Sequence, residues 1–346
     1  MASGSPLVTV LVPCRNEGSY IAACLASILG TTYPLDRLEV LVLDGQSDDG
    51  TAEEVAAVAA QMPVVRLLTN PGRVVPTGLN IGIRAARGEV IVRMDAHTEY
   101  PADYIPRLVH WLQASGADNV GGSCITRPAG DTAAARAIAV ALAHPFGVGN
   151  AHFRLGTTKM REVDTVPFGC FPRSVFERLG LFDEELARNQ DDEMNFRIAR
   201  AGGRILLVPD VVSYYYARPS WTKLATMYYQ YGYYKPLVAL KVGRIMTVRQ
   251  TIPALFVAAL AAGAAFAPWV PAVRAGWLLM VGTYAMATAA AAIGAARAHG
   301  ARCALGLPLA FPILHLSYGY GFLRGLAAVA ARLSGRAWVA PAASSR

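Results

Sequence analysis

No acidic side chain occurs after Asp210, although basic residues continue to Arg346. Residues 1–210 carry 24 Asp and Glu against 19 Lys and Arg, a net charge of −5; residues 211–346 carry 13 basic residues and no acid, a net +13. The overall +8 and the pI near 9.4 therefore describe the second part of the chain only. Charge is scarce throughout, at 16%, against 54% hydrophobic residues and a mean hydropathy of +0.33. That balance excludes a disordered chain and an ordinary water-soluble enzyme, and it calls for a membrane part. The positive charge is interleaved with apolar runs, which suits anionic head groups or a lipid phosphate and argues against nucleic acid as a partner.

Cysteine is sparse as well. The five present (Cys14, Cys24, Cys124, Cys170 and Cys303) are odd in number and lack metal-binding spacing. They exclude a disulfide framework and a zinc site, and fit a reducing compartment. No Gly-x-Gly-x-x-Gly follows the first strand-like run, which speaks against a dinucleotide oxidoreductase. The first cation is Arg15, and the first apolar run, Leu7–Val12, is too short for a signal sequence. The front part is therefore expected on the cytoplasmic side of a membrane.

What is present begins with four β-rich runs, Val8–Val12, Leu38–Leu43, Val64–Leu68 and Val90–Met94, separated by stretches of helical length. This is an α/β pattern with a mostly parallel sheet covered by helices on both faces. Ligands of such sheets bind beyond the C-terminal strand ends, which directs attention to Pro13–Glu17, Asp44–Thr51, Asn70–Arg73 and Asp95–Glu99. From Ser213 to Gln250 the chain is rich in Tyr, Trp, Lys and Arg, as a bilayer interface selects. Three apolar runs follow, Ile252–Trp269, Ala275–Ala296 and Ala304–Leu323, each close to the ~20 residues that span a bilayer. The third is interrupted by Pro308 and Pro312 and is expected to be broken or re-entrant, with His315 as a packing residue. Arg249, Arg297 and Arg302 against the lone Arg274 place the front part inside by the positive-inside rule. The expected plan is a cytoplasmic domain over 1–212, an interfacial segment over 213–250, a transmembrane region of about three helices over 251–331 and a tail over 332–346. Residues Pro341–Arg346 read as a disordered end.

Several residue groups beyond the strands have chemical potential. Pro13-Cys14-Arg15-Asn16-Glu17 opens a helix facing the crevice, and Asp44 is placed to accept hydrogen bonds from a base or ribose. Asp48 and Asp49 read as helix caps. Arg73 is a candidate for phosphate charge. Asp95 and His97 stand two residues apart, on one side of an extended strand, and together can hold a divalent ion. Asp191, Asp192 and Glu193 open a helix, where acids suit the dipole; one of them can also act as a general base.

Taken in order, Pro13–Glu17, Asp44–Thr51, Asn80…Gly82…Ala85…Gly88, Asp95–His97, Val166–Gly169 and Gln190-Asp191…Arg197 resemble the inverting family-2 glycosyltransferases of GT-A fold. The similarity covers about residues 6–235. Arg93–His97, Asp164–Phe171 and Asn189–Asn195 are most similar to the membrane-bound enzymes of succinoglycan-type exopolysaccharide assembly. The resemblance implies a Rossmann-like GT-A domain followed by transmembrane helices. It implies that Pro13, Asn16, Glu17, Asp44, Arg73 and Asp95 bind a nucleotide sugar, a UDP-hexose being expected. Asp95 and His97 would hold Mg2+ or Mn2+, with His97 standing where the family carries an acid; imidazole there favours Mn2+. Phe168 and Gly169 would lie on the acceptor side. Asp191 would be the catalytic base, with Asp192 the runner-up because a one-residue slip exchanges them, and Gln190 stands where the family has Glu. A Gln-x-x-Arg-Trp motif of processive members is absent around Tyr229–Tyr234, which favours addition of one sugar. The acceptor implied is a polyprenyl-linked saccharide at the inner membrane; the alternatives are a polyprenyl-phosphate sugar synthase or a non-catalytic subunit that retains nucleotide-sugar binding. Nothing in the sequence sets the oligomeric state.

Overall fold

The computed structural model describes residues 4–244, 247–300 and 305–341. Arg302, Cys303 and all but the first residue of the expected disordered end lie outside them. Nine strands form one sheet: β1 (Val8–Cys14), β2 (Leu38–Asp44), β3 (Val65–Thr69), β4 (Val90–Arg93), β5 (Thr98–Glu99), β6 (Asn119–Arg127), β7 (Arg161–Glu162), β8 (Cys170–Pro172) and β9 (Ile205–Tyr216). Their order is β3-β2-β1-β4-β8-β6-β9-β5, with β7 on β9. The first four strands are parallel, whereas β8 runs antiparallel to β4 and β6, and β9 antiparallel to β5 and β7. The sheet is thus mixed, with the parallel half carried by the four runs legible in the sequence.

In β1, β2 and β4 every residue is buried, and the runs are mostly apolar because both faces are covered, with Thr9, Glu39 and Arg93 as the polar positions within them. On β1 and β2, Val8, Val10, Val12, Val40 and Val42 enter one core with Ile21, Leu25, Ile105 and Leu108. Leu11, Leu41 and Leu43 enter the other with Leu79, Ile83, Met194 and Ile198. Strand alternation separates a valine face from a leucine face. Glycines permit the closest approaches: a Cβ on Gly88 would lie 2.5 Å from the Thr9 backbone nitrogen, and one on Gly82 would lie 2.7 Å from Leu11 Cδ2. Asn80 receives the Phe182 N–H (2.9 Å) and donates to the Phe182 carbonyl (2.9 Å) and to Glu184 (2.8 Å). The Asn80…Gly88 motif is therefore a packing motif.

The chain divides into two compact units. One comprises the residues up to Ile125 with His152–Tyr215; the other comprises Thr126–Ala151 and the chain from Tyr216 onward. In the second unit, Arg249–Phe266 and Pro271–Ala298 are helices long and apolar enough to cross a membrane. Leu255, Phe266, Leu278, Leu279 and Met286 on them are exposed, as is Trp269 in the turn between them, an apolar exterior that suits lipid. The third apolar run is not broken: it forms one helix, Leu307–Leu333, with Pro308 in its first turn and Pro312 inside it. Proline in the first turn costs no hydrogen bond, and Pro312 removes only one. This helix packs along Trp221–Val242, so closely that a Cβ on Gly321 or Gly325 would collide with the Tyr229 or Tyr233 carbonyl. His315 is a satisfied packing residue, 2.8 Å from the Tyr284 hydroxyl through Nδ1 and 2.8 Å from the Phe146 carbonyl through Nε2.

Candidate active site

The strand order reverses between β1 and β4, since β2 and β3 build outward on one side of β1 and β4 lies on the other. The crevice of such a sheet opens there. Glu17, from the loop after β1, and His97, from the loop after β4, meet across it with Oε1 and Nδ1 3.4 Å apart. Both are buried, at 4% exposure each. The His97 ring also meets the Tyr215 ring edge to face, at 5.1 Å between centroids.

Asp95 is buried beside Arg93, with Arg93 Nη2 3.0 Å and Nε 3.1 Å from Asp95 Oδ1. Its backbone N–H donates to the Tyr100 hydroxyl (2.6 Å), and burial pushes that phenol well above its usual range. Arg93 was named from the sequence only as the first residue of the Arg93–His97 run, without a role of its own, and Tyr100 was not named.

The loops after β1 and β2 are laced together. Asn16 N–H donates to Ser47 Oγ (2.9 Å), Asp48 N–H to Asn16 Oδ1 (3.0 Å) and Glu17 N–H to Thr51 Oγ1 (2.9 Å). Pro13 and Asp44 are buried strand residues, and Asp44 accepts the Ser47 N–H (3.1 Å). Neither Asp48 nor Asp49 is the N-cap of the next helix, which is Gly50 in the left-handed region; Asp49 stands just before it and accepts the Thr51 N–H (3.1 Å) and the Gly18 N–H (3.0 Å). Burial alone would raise its carboxyl, but these bonds and the Thr51 hydroxyl hold it below the ordinary value. Arg73 is exposed, with Nε 2.6 Å from Gln46 Oε1.

On the antiparallel side, Arg93 N–H donates to the Gly169 carbonyl (3.0 Å), which puts the Phe168-Gly169 loop at the same sheet edge. Phe168 stacks edge-on with Tyr100, at 6.0 Å. Asp191 and Asp192 are half-buried in the first turn of helix Gln190–Arg200, and Asp191 Oδ1 accepts the Asp192 N–H (3.0 Å). Glu193 is occupied by Arg197 (2.8 Å), which also binds the Leu179 and Leu181 carbonyls.

Among the described residues, the non-glycine positions with positive φ are Asn16 (56°), Gln46 (57°), Arg73 (59°), Phe168 (63°) and Asn189 (62°). They follow β1, β2 and β3, precede β8 and cap the Asp191 helix. Each costs about 1 kcal/mol or more, and such strain persists where the surroundings over-determine it, commonly at binding sites.

Among the described residues no three His, Cys, Asp or Glu form a metal-holding group. The buried pair of His97 and Glu17 therefore fits a divalent ion only when substrate phosphates complete its shell, as Mg2+-type sites commonly require.

The profile of Glycosyl transferase family 2 matches residues 9–180. The succinoglycan biosynthesis protein ExoA of Rhizobium meliloti (strain 1021) is 30% identical over 321 residues, 92% of this chain and 94% of that protein. A Methanococcus voltae enzyme, dolichyl N-acetyl-alpha-D-glucosaminyl phosphate 3-beta-D-2,3-diacetamido-2,3-dideoxy-beta-D-glucuronosyltransferase, is 25% identical over 68% of this chain and 74% of its own length. Among solved structures, the mannosyltransferase PcManGT from Pyrobaculum calidifontis, in complex with GDP-Man and Mn2+, is similar with a TM-score of 0.59 and 26% identity, over 94% of this chain and 88% of its own. With a parallel half-sheet, loaded strand ends and end-to-end similarity of this extent, the chain belongs to glycosyl transferase family 2 and is an inverting glycosyltransferase.

Proposed function

We propose that the enzyme transfers a hexose from a UDP-hexose to a polyprenyl-diphosphate-linked saccharide, in bacterial exopolysaccharide or cell-surface glycan assembly. The observation that carries this reading is the gathering of left-handed residues Asn16, Gln46, Arg73 and Phe168 around the edge that also holds Glu17, Asp44, Asp95 and His97. The loops after β1 and β2 form a cradle for the nucleotide, with Asp44 and Asn16 at its rim. Arg73 supplies positive charge for the leaving diphosphate. His97 and Asp95 would hold a divalent ion, which would supply further positive charge there; the Mn2+ complex of the related mannosyltransferase supports that role.

Asp191 takes the proton from the acceptor hydroxyl. The oxygen then forms its bond to the anomeric carbon as the bond to the diphosphate oxygen breaks on the opposite face, inverting the centre. A lipid-borne acceptor is supported by the two long apolar helices, by the acid-free second part of the chain and by the dolichyl-linked sugar phosphate in the name of the Methanococcus relative. In this reading the catalytic unit faces the cytoplasm at the inner membrane, since Arg249 and Arg297 flank the two spans on that side.

The test is incubation of the detergent-solubilised enzyme with Mn2+, a bacterial lipid extract and a panel of labelled UDP-hexoses and GDP-mannose. Label entering the lipid fraction from one UDP-hexose supports the reading. Label from GDP-mannose alone overturns the donor, and product that mild acid hydrolyses to a single sugar makes the acceptor a polyprenyl phosphate.

A further inference from the structure

Thr165, Asn195 and Asn119 come from three separate elements and close a polar chain. Asn195 Nδ2 donates to Thr165 Oγ1 (3.0 Å), and Asn119 Nδ2 donates to Asn195 Oδ1 (2.8 Å). Asn119 and Asn195 are buried, at 1% and 2% exposure, whereas Thr165 is half-buried at the start of the loop. Asn119 also abuts the far end of that loop: a Cβ on Gly169 would lie 2.9 Å from Asn119 Oδ1 and 2.6 Å from the Phe171 ring. Residues Thr165–Gly169 are thus gripped at both ends, Thr165 by the Asn195 amide and Gly169 by the Arg93 N–H on its carbonyl (3.0 Å), with Asn119 packed against Gly169. Between the grips stands Phe168, at φ 63°.

Two buried amides in series are a demanding choice for a core. Each leaves an expensive unsatisfied group if its partner moves, so the arrangement holds one loop geometry strongly. A phenylalanine in the left-handed region needs that kind of support. Asn195 stands one helical turn after Asp191, so the bond that sets Thr165 comes from the helix that carries the base.

We propose that Asn119 and Asn195 form an amide clamp that sets the Thr165–Gly169 loop against the Asp191 helix, making Asn195 and Thr165 positioning residues for the acceptor hydroxyl. The inference rests on the proposed assignment of Phe168 and Gly169 to the acceptor side. Neither residue takes part in bond making; each fixes the distance between the loop that holds the acceptor and the helix that holds the base.

The test compares Thr165→Val, Thr165→Ser and Asn195→Ala by two readouts. Hydrogen exchange of the peptide spanning residues 163–171 reports loop position without any acceptor. Exchange there rises in Thr165→Val and Asn195→Ala, stays at the wild-type rate in Thr165→Ser, and peptides over β1 and β2 are unaffected in all three. In the transfer assay with the lipid extract, Thr165→Val loses about tenfold to a hundredfold in kcat over acceptor KM while UDP binding is unchanged, and Thr165→Ser recovers the rate. The double variant Thr165→Val/Asn195→Ala is no slower than Asn195→Ala alone. Unaltered exchange in Thr165→Val, additive losses, or an equal loss of UDP affinity overturns the clamp. If the wild type itself transfers nothing to the extract, the acceptor reading fails separately, and the exchange result still decides whether the clamp exists.

Discussion

Glu17 and His97 belong to loops that leave adjacent parallel strands on either side of the point where strand order reverses, and they place Oε1 and Nδ1 3.4 Å apart. A buried imidazole at this crevice is a candidate ligand for a divalent ion. It also suits Mn2+ better than Mg2+. Wild-type transfer is expected to be faster with Mn2+ than with Mg2+ at matched occupancy, and His97→Asp is expected to shrink that preference about tenfold. An unchanged metal preference in His97→Asp would remove His97 from the ligand set.

Arg93 and Asp95 make a buried ion pair at the same edge, with both side chains only 10% exposed. Removing one partner strands a charge, so Arg93→Met is expected to cost about 3–5 kcal/mol. Arg93→Met/Asp95→Asn should regain most of that stability without regaining nucleotide binding, because Asp95 has its own contact to make. Thermal unfolding and UDP-sugar titration of the three proteins separate the two effects; recovery of binding in the double variant would reduce Asp95 to a structural residue.

The parallel half of the sheet was legible because Val8–Cys14 and Leu38–Asp44 are covered on both faces and so read as mostly apolar runs, interrupted only by Thr9 and Glu39 before their polar ends. The antiparallel strands were not. β8 has three residues and β5 and β7 two each, too short to show a period, while the longer β6 and β9 are interrupted by Gly121-Gly122 and by Pro209-Asp210. Segment 126–151 was equally silent: its alanine-rich helix, Ala133–Leu142, looks like any buried helix, and contacts such as Gly306 on Ala137 and His315 on the Phe146 carbonyl show which unit it joins. Pro312 argued for a broken third span, but packing along Trp221–Val242 carries the helix through it. In the site, Asp95, His97 and Asp191 were visible through their spacing and family pattern. Asn119 and Thr165 were not, since an isolated Asn or Thr gains meaning only from what lies opposite it in the fold.

Glu39 lies 1% exposed within β2 and takes hydrogen bonds from Thr9 Oγ1 (2.7 Å), Arg87 N–H (2.9 Å) and the Arg66 and Arg87 guanidinium groups. Burial alone would raise its carboxyl, but these donors outweigh it and lower it. A carboxyl depressed in the folded state contributes stability above its unfolded value of about 4.3, and that contribution is lost as pH falls through the folded value. The thermal midpoint should therefore drop below about pH 4.3, and Glu39→Gln should flatten that limb while lowering stability at neutral pH. A parallel acid limb in Glu39→Gln would contradict this.

Gly88 has the Thr9 backbone nitrogen where a Cβ would stand, and backbone cannot swing away as a side chain can. Gly88→Ala is expected to destabilise the catalytic unit by about 1–3 kcal/mol, yet to keep wild-type turnover per folded molecule. Loss of turnover in fully folded Gly88→Ala would mean that the motif touches the chemistry.

Asp191, and not its neighbour Asp192, is expected to take the proton. The direct measurement is transfer rate and UDP-sugar affinity in Asp191→Asn and Asp192→Asn side by side. The account predicts that Asp191→Asn loses at least about a hundredfold in kcat with donor affinity intact, and that Asp192→Asn stays within a few fold of wild type. Full activity in Asp191→Asn, or its loss in Asp192→Asn alone, would contradict it.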